Sequence, residues 1–206
     1  MDDHGNGLHA AILAAGPGTR FGDVKPLVRL AGEPVLHALA ANAAFVAGQS
    51  VTVVLGAHAA EIATALRQRA VSIAINRGWE EGVASSVRTA VHAAPPASEA
   101  LLLLLADQVA VTADDLRRLH ASWKRHPILI AAALYQGAPG LPAIFPRWAY
   151  TDLLALRGER DPRSVLRKTI DRVVRVPMSN AGVDLDTPDD LLQVDAARTG
   201  SGLDPN

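Results

Sequence analysis

Short, continuous apolar runs alternate along the chain with longer, alanine-rich stretches of helical spacing. The runs at 8–14, 51–55, 71–75, 101–105, 128–132 and 173–176 predict strands. They show no polar alternation, which fits strands buried on both faces in a parallel sheet between two layers of helices. The stretches at 34–46, 59–69, 83–93, 114–125 and 191–197 predict the helices. Strand followed by helix, repeated, predicts an α/β fold with a mainly parallel central sheet. By composition the leucines at 101–105 would also suit a helix core. Pro95-Pro96 before them and the polar turn at Asp107-Gln108 after them favour a short central strand. No fixed-period repeat, heptad pattern or low-complexity linker divides the chain. The expected organisation is one domain over 8–198, between a flexible start at 1–7 and a loose tail at 199–206.

Composition narrows the function classes. The 206 residues carry 20 Lys plus Arg against 21 Asp plus Glu, a net charge of -1, and no cysteine. That excludes disulfides, zinc–thiolate sites and cysteine nucleophiles, and it lacks the basic surplus of a nucleic-acid-binding module. The longest apolar run, Leu101 to Ala106, falls far short of the ~20 residues that span a bilayer. The acidic start has no basic n-region. A cytoplasmic protein without nucleic-acid or membrane partners is expected.

In an open α/β sheet, ligands bind outside the carboxyl ends of the strands. The loop after the first strand reads Leu13-Ala14-Ala15-Gly16-Pro17-Gly18-Thr19-Arg20-Phe21-Gly22-Asp23-Val24-Lys25-Pro26-Leu27. Its glycines let backbone approach a ligand, successive N–H groups can form an anion nest, and Arg20 and Lys25 add cations where a polyphosphate would sit. The G-x-G-x-x-x-G spacing is not the dinucleotide fingerprint, and no G-K-[ST] ends it. A bare turn with two surface cations is the plain alternative. Asp107 closes the most apolar strand, where a buried carboxylate needs a cation or a donor. A turn or capping role before a helix near Thr112 explains it as well as a ligand role does.

The first-strand loop is similar to the signature L-A-A-G-x-G-x-R-x-G-x-x-K-x-L of nucleotidyltransferases that include the sugar-phosphate and molybdenum cofactor enzymes. Three further segments resemble the molybdenum cofactor cytidylyltransferase branch, the MobA-like and MocA-like proteins. They are Asn76 to Val87 (N-x-x-W-x-x-G-x-x-x-S), Leu105-Ala106-Asp107-Gln108 (L-A-D-Q-P), and Asp184 to Leu191 (D-I-D-T-P-E-D-L). The resemblance runs from about Leu8 to Val194. It implies a three-layer Rossmann-like nucleotidyltransferase fold and transfer of a nucleotide from an NTP, CTP favoured over GTP, to molybdopterin or molybdenum cofactor, with pyrophosphate released. A molybdoenzyme or its chaperone is the partner such proteins serve.

The same resemblance implies the site. Leu13, Ala14, Ala15, Gly16, Gly18, Arg20, Lys25, Gly82, Ser85 and Ser86 would bind the nucleotide, with Arg20, Lys25 and Asp107 catalytic. Gly140, Leu141 and Pro142 would bind the acceptor. Asp107 and Asp184 would hold Mg²⁺, which is usually bound by one or two carboxylates plus substrate phosphates. Asp184 and Asp186 alternate along an extended stretch and point to opposite faces. Motif position favours Asp184, and Asp186 stays as the alternative. The chain departs from the branch at Gly158-Glu159-Arg160-Asp161-Pro162-Arg163-Ser164, where G-D-x-G-A-R is usual, and at Val109, where proline is usual. Two other readings stay open: a non-catalytic protein that binds nucleotide or molybdenum cofactor, and a guanylyl- or sugar-phosphate nucleotidyltransferase.

Overall fold

Alternation of strands and helices is what the chain adopts. The strands Ser72–Ile75 and Val173–Pro177, expected to be buried on both faces, lie at the two edges of the sheet and are largely exposed or only partly buried. The computed structural model describes residues 7–18, 24–30 and 32–183. In chain order these form β1 (Leu8–Ala14), β2 (Arg29–Leu30), β3 (Glu33–Pro34), α1 (Val35–Ala47), β4 (Val51–Leu55), α2 (Ala59–Ala65) and β5 (Ser72–Ile75). Then follow α3 (Val83–Ala93), β6 (Ala100–Leu105), α4 (Ala113–Arg125), β7 (Ile130–Tyr135), β8 (Ala138–Pro146), α5 (Tyr150–Leu154), α6 (Arg163–Lys168) and β9 (Val173–Pro177). The helix expected at 191–197, Arg20, Asp184 and Asp186 lie outside the described residues.

Seven strands form one sheet in the order β5-β4-β1-β6-β8-β7-β9. β1 pairs in parallel with β4 and β6, β4 with β5, and β7 with β9, while β8 runs antiparallel to both its neighbours. The expected mainly parallel α/β architecture is therefore present, with one reversed strand that the apolar pattern did not predict. β8 carries Pro139, Pro142 and Pro146, residues that lack a ladder donor and argue against a central strand. It is accommodated by a register break: Ala132 faces Ala143, the next residue Ala133 faces Gly140, and Leu141 and Pro142 drop out of the β7 pairing.

The sheet separates two apolar layers, and β6 feeds both. Leu102 and Leu104 join Ile12, Leu36, Leu39 and Trp123 on the side covered by α1 and α4. Leu101 and Leu103 join Val87, Phe145, Leu153 and Leu166 on the side covered by α3, α5 and α6. All seven residues of β1 are buried, as burial on both faces demands. α4 starts on Thr112, whose hydroxyl accepts from the Asp115 N–H while the Asp115 carboxylate accepts from the Thr112 N–H, a reciprocal cap that satisfies two orphan donors. No helix among the described residues is long and apolar enough to cross a membrane.

His9 is a polar residue inside β1. Its Nδ1 shares a hydrogen bond with the Ser50 hydroxyl at 2.8 Å, and its Nε2 is buried with no partner among the described residues. Burial lowers its pKa from 6.5 to about 4. The unfolded chain therefore takes up a proton near pH 6.5 that the folded chain refuses until about pH 4. Stability is fully present above pH 6.5 and falls as the pH drops through that window, by on the order of 3 kcal/mol. Urea unfolding between pH 4.5 and 7.5 should show a steeper decline for the native chain than for His9→Gln. Parallel curves would mean that His9 is not held neutral.

Candidate active site

Strand polarity gathers one set of loops on one edge of the sheet. Leu13 lies beside Leu105, Ala14 beside Leu55, Tyr135 beside Ala138 and Leu134 beside Pro177. The carboxyl ends of β1, β4, β6, β7 and β9 thus share an edge with the start of the reversed β8. The loop leaving β1 is tied down on both sides: the Leu13 carbonyl accepts from the Ala106 N–H at 3.1 Å, and the Ala15 carbonyl accepts from the Ala57 N–H at 3.0 Å. Leu13, Ala14 and Ala15 are buried. Gly16 is exposed, with open space where a side chain would be, and Gly18 takes a positive φ of 62°.

Gly56, which the sequence analysis did not single out, sets the floor of this loop. A Cβ there would lie 2.6 Å from the Trp79 Cβ and 2.7 Å from the Ala15 carbonyl oxygen. Only glycine permits that approach. The available signal was a glycine directly after a fully buried strand.

Lys25 opens a short 3-10 turn, Lys25–Leu27, pinned by the buried Pro26. Its Nζ lies 3.3 Å from Asp107 Oδ2, with the two side chains 16% and 31% exposed. The other oxygen, Asp107 Oδ1, is buried and has no hydrogen-bond partner among the described residues. Two residues quoted from different motifs, 82 apart, are thus joined at the edge, with one carboxylate oxygen unused.

Directly after β5 comes the buried Asn76, whose Nδ2 donates to Ser85 Oγ at 2.8 Å and to Ser86 Oγ at 3.0 Å. Its Oδ1 accepts from the Gly78 N–H at 3.0 Å. The Ser85 hydroxyl spends its own proton on the Gly82 carbonyl at 2.8 Å. Both serines are about 5% exposed or less. The two hydroxyls face inward and hold the turn that starts α3, which leaves the backbone of this turn as the part open to a nucleotide. Gly82 opens that helix at φ 112°, and a Cβ on it would lie 2.7 Å from Glu159 Oε1 and from the Gly158 carbonyl oxygen.

The departing segment packs on the same turn. The Gly158 carbonyl accepts from the Ala84 N–H at 3.1 Å, and the Gly158 N–H donates to Glu81 Oε1 at 3.2 Å. The Arg88 guanidinium grips the same carboxylate with both NH1 and NH2. Hydrogen bonds from Arg88, then from Gly158, hold Glu81 below its ordinary value of 4.5. The first residues of 158–164 therefore sit against Gly82, whereas Arg163 donates to the Tyr135 hydroxyl at 3.0 Å, at the carboxyl end of β7.

Gly140, Leu141 and Pro142 are all buried at the start of β8, and the Leu141 carbonyl accepts from Gln108 Nε2. They shape the edge from beneath. Trp79 packs against the apolar layer of α3 and α5, in keeping with an anchoring role.

Known proteins share this architecture. Among solved structures, the Mycobacterium tuberculosis Rv0371c homologue from Mycobacterium sp. strain JC1 superposes with a TM-score of 0.80 at 26% identity, covering 95% of this chain and 98% of that one. Molybdopterin-guanine dinucleotide biosynthesis protein A from Archaeoglobus fulgidus superposes with a TM-score of 0.70 at 17% identity, covering 93% of this chain and 99% of that one. The bifunctional protein GlmU of Sorangium cellulosum is 34% identical over 127 residues, which are 57% of this chain and 26% of GlmU. The chain thus spans about a quarter of the length of the curated relatives it matches. Residues 10–173 match the family described as MobA-like NTP transferase domain. With most of β1, all of β2 through β8 and the first residue of β9 inside that match, the chain belongs to the MobA-like NTP transferase family, a family of nucleotidyltransferases.

Proposed function

We propose that the chain is a cytoplasmic, magnesium-dependent nucleotidyltransferase that uses CTP and the terminal phosphate of molybdopterin or molybdenum cofactor. An oxygen of the acceptor phosphate bonds to the α-phosphorus, the bond from that phosphorus to the bridging oxygen breaks, and pyrophosphate leaves with the electron pair. The observation that carries the reading is the Lys25–Asp107 pair below the glycine loop, with Asp107 Oδ1 unspent. A carboxylate with one open oxygen suits Mg²⁺, which takes its remaining ligands from water and substrate phosphates. Asp107 would hold the ion, with Asp184 as the second carboxylate by motif position. When bound, the ion neutralises charge developing at the α-phosphate.

The remaining work is positioning and charge neutralisation. Backbone from Leu13 to Gly18 cradles the triphosphate, while Lys25 and Arg20 balance the charge of the departing pyrophosphate. Since the Ser85 and Ser86 hydroxyls face inward, the base is read by backbone around Gly82. The segment 158–164 runs from that turn to Tyr135, and in this reading it meets nucleotide and acceptor alike. The branch motifs support CTP. The guanine dinucleotide protein from Archaeoglobus, a relative in fold, favours GTP as the second reading.

A thermal-shift panel of the four NTPs, with and without Mg²⁺, tests this. A nucleotide at ~100 times its Kd stabilises by roughly 2.7 kcal/mol, several degrees for a domain of this size. The expected result is a Mg²⁺-dependent shift with CTP, followed by pyrophosphate release when molybdopterin is added. A GTP-only shift moves the chain to the guanylyl reading. No shift with any nucleotide overturns catalysis in favour of a cofactor-binding role.

A further inference from the structure

Gln108 is fully buried, and its side-chain amide is fully used. Its Oε1 accepts from the Leu105 N–H at 3.2 Å. Its Nε2 donates to the Leu141 carbonyl and, at 3.1 Å, to the Ala181 carbonyl. Its backbone closes two turns, donating to the Leu105 carbonyl and accepting from the Val111 N–H, both at 3.2 Å. One side chain therefore joins the end of β6, the unpaired part of β8 and the 3-10 turn Ser179–Gly182 that follows β9. Asp107 sits inside the turn that this amide clamps.

We propose that Gln108 is a positioning residue, which fixes the Asp107 carboxylate toward the divalent ion and locks it to the loop at Leu141. A buried amide could serve only to satisfy two carbonyls that β8 and the turn after β9 leave without ladder partners. Its place favours more. The residue it braces on the amino side is Asp107, whose Oδ1 is buried without a partner while Lys25 holds Oδ2. A carboxylate with one unpartnered oxygen and one ion pair among the described residues needs a rigid backbone to keep its direction. Partners that orient metal ligands typically change metal affinity by roughly 10–100-fold when lost. The inference rests on the metal role proposed for Asp107, and the test separates the two.

Gln108→Met keeps the length of the side chain and removes all three hydrogen bonds. Gln108→Glu keeps the acceptor for Leu105 and loses both donors. Mn²⁺ binding is read by electron paramagnetic resonance in the presence of CTP, beside circular dichroism and CTP binding without metal. The expected result is two folded variants with Mn²⁺ affinity down roughly tenfold or more and metal-free CTP binding unchanged. A folded variant that binds Mn²⁺ as the native chain does overturns the proposal, since a purely structural amide would lower only the melting temperature. If the native chain itself binds no Mn²⁺ with CTP, the metal role of Asp107 fails first and takes this inference with it. If neither variant folds, the native chain labelled with ¹⁵N at glutamine decides. Gln108 side-chain amide signals that shift on adding Mg²⁺ and CTP support the coupling, and unmoved signals overturn it.

Discussion

Asp107→Ala is expected to lower turnover by at least 10²–10³-fold, the scale seen when one preorganised charge-stabilising group is removed, while the melting temperature stays level or rises. The two halves of this result have one cause. Asp107 Oδ1 is a buried carboxylate oxygen without a partner among the described residues, and such an orphan typically costs the fold ~1–3 kcal/mol. Its ion pair with Lys25 returns little, because both side chains reach solvent and screening weakens a pair of this kind. Removing the group relieves a local cost and removes the chemistry, a trade common at functional positions. Steady-state pyrophosphate release and differential scanning calorimetry on the same preparations check it. A variant keeping more than a tenth of native turnover would take Asp107 out of the metal site, and a fall of many degrees would make it a structural residue.

Gly56→Ala should damage both stability and nucleotide binding. The added Cβ meets the Trp79 Cβ on one side and the Ala15 carbonyl on the other, at 2.6 and 2.7 Å, and neither is the flexible end of a side chain. Overpacking of this kind costs ~1–3 kcal/mol. Relief comes most easily by pushing the Ala15 backbone outward, which strains the Ala57 N–H bond to the same carbonyl and moves the glycine loop. Urea unfolding should lose stability on that scale, and nucleotide affinity should fall by tenfold or more. Native affinity together with native stability would mean that the contact yields without consequence.

The parts of the fold legible in the sequence are those governed by burial alone. β1 and β4 carry the expected bounds because every residue in them is buried, so an uninterrupted apolar run is the whole signal. The strand expected at 128–132 begins later, at Ile130, since hydrogen bonds from the His126 N–H to Trp123 and from the Leu129 N–H to His126 continue the helix exit as turns. β8 was unreadable as a strand because its prolines and Gly140 erase the pattern, and its pairing is set by β6 and β7, which a local reading does not see. The short α5 and α6 are too brief to show a period.

The candidate site divides in the same way. That the glycine loop, Lys25 and Asp107 lie at one edge was legible because charge and small residues stand out at strand ends. Gly56 and the Gln108 amide act through tertiary approach, and the inward turn of Ser85 and Ser86 depends on Asn76 claiming them. Residue type alone gives no direction for a hydroxyl.

The alternation within β6 has a consequence for how such a protein diversifies. Successive leucines belong to opposite layers, Leu101 and Leu103 to one and Leu102 and Leu104 to the other. The layer under α1 and α4 is partitioned by the sheet from the layer of α3, α5 and α6, which supports Gly82 and the segment from Gly158. Side-chain volume can drift in the first layer with the second left undisturbed. The packing behind Gly82 and Gly158 and the packing under α1 and α4 can then be altered separately in one small chain, each by exchanges confined to its own side of the sheet.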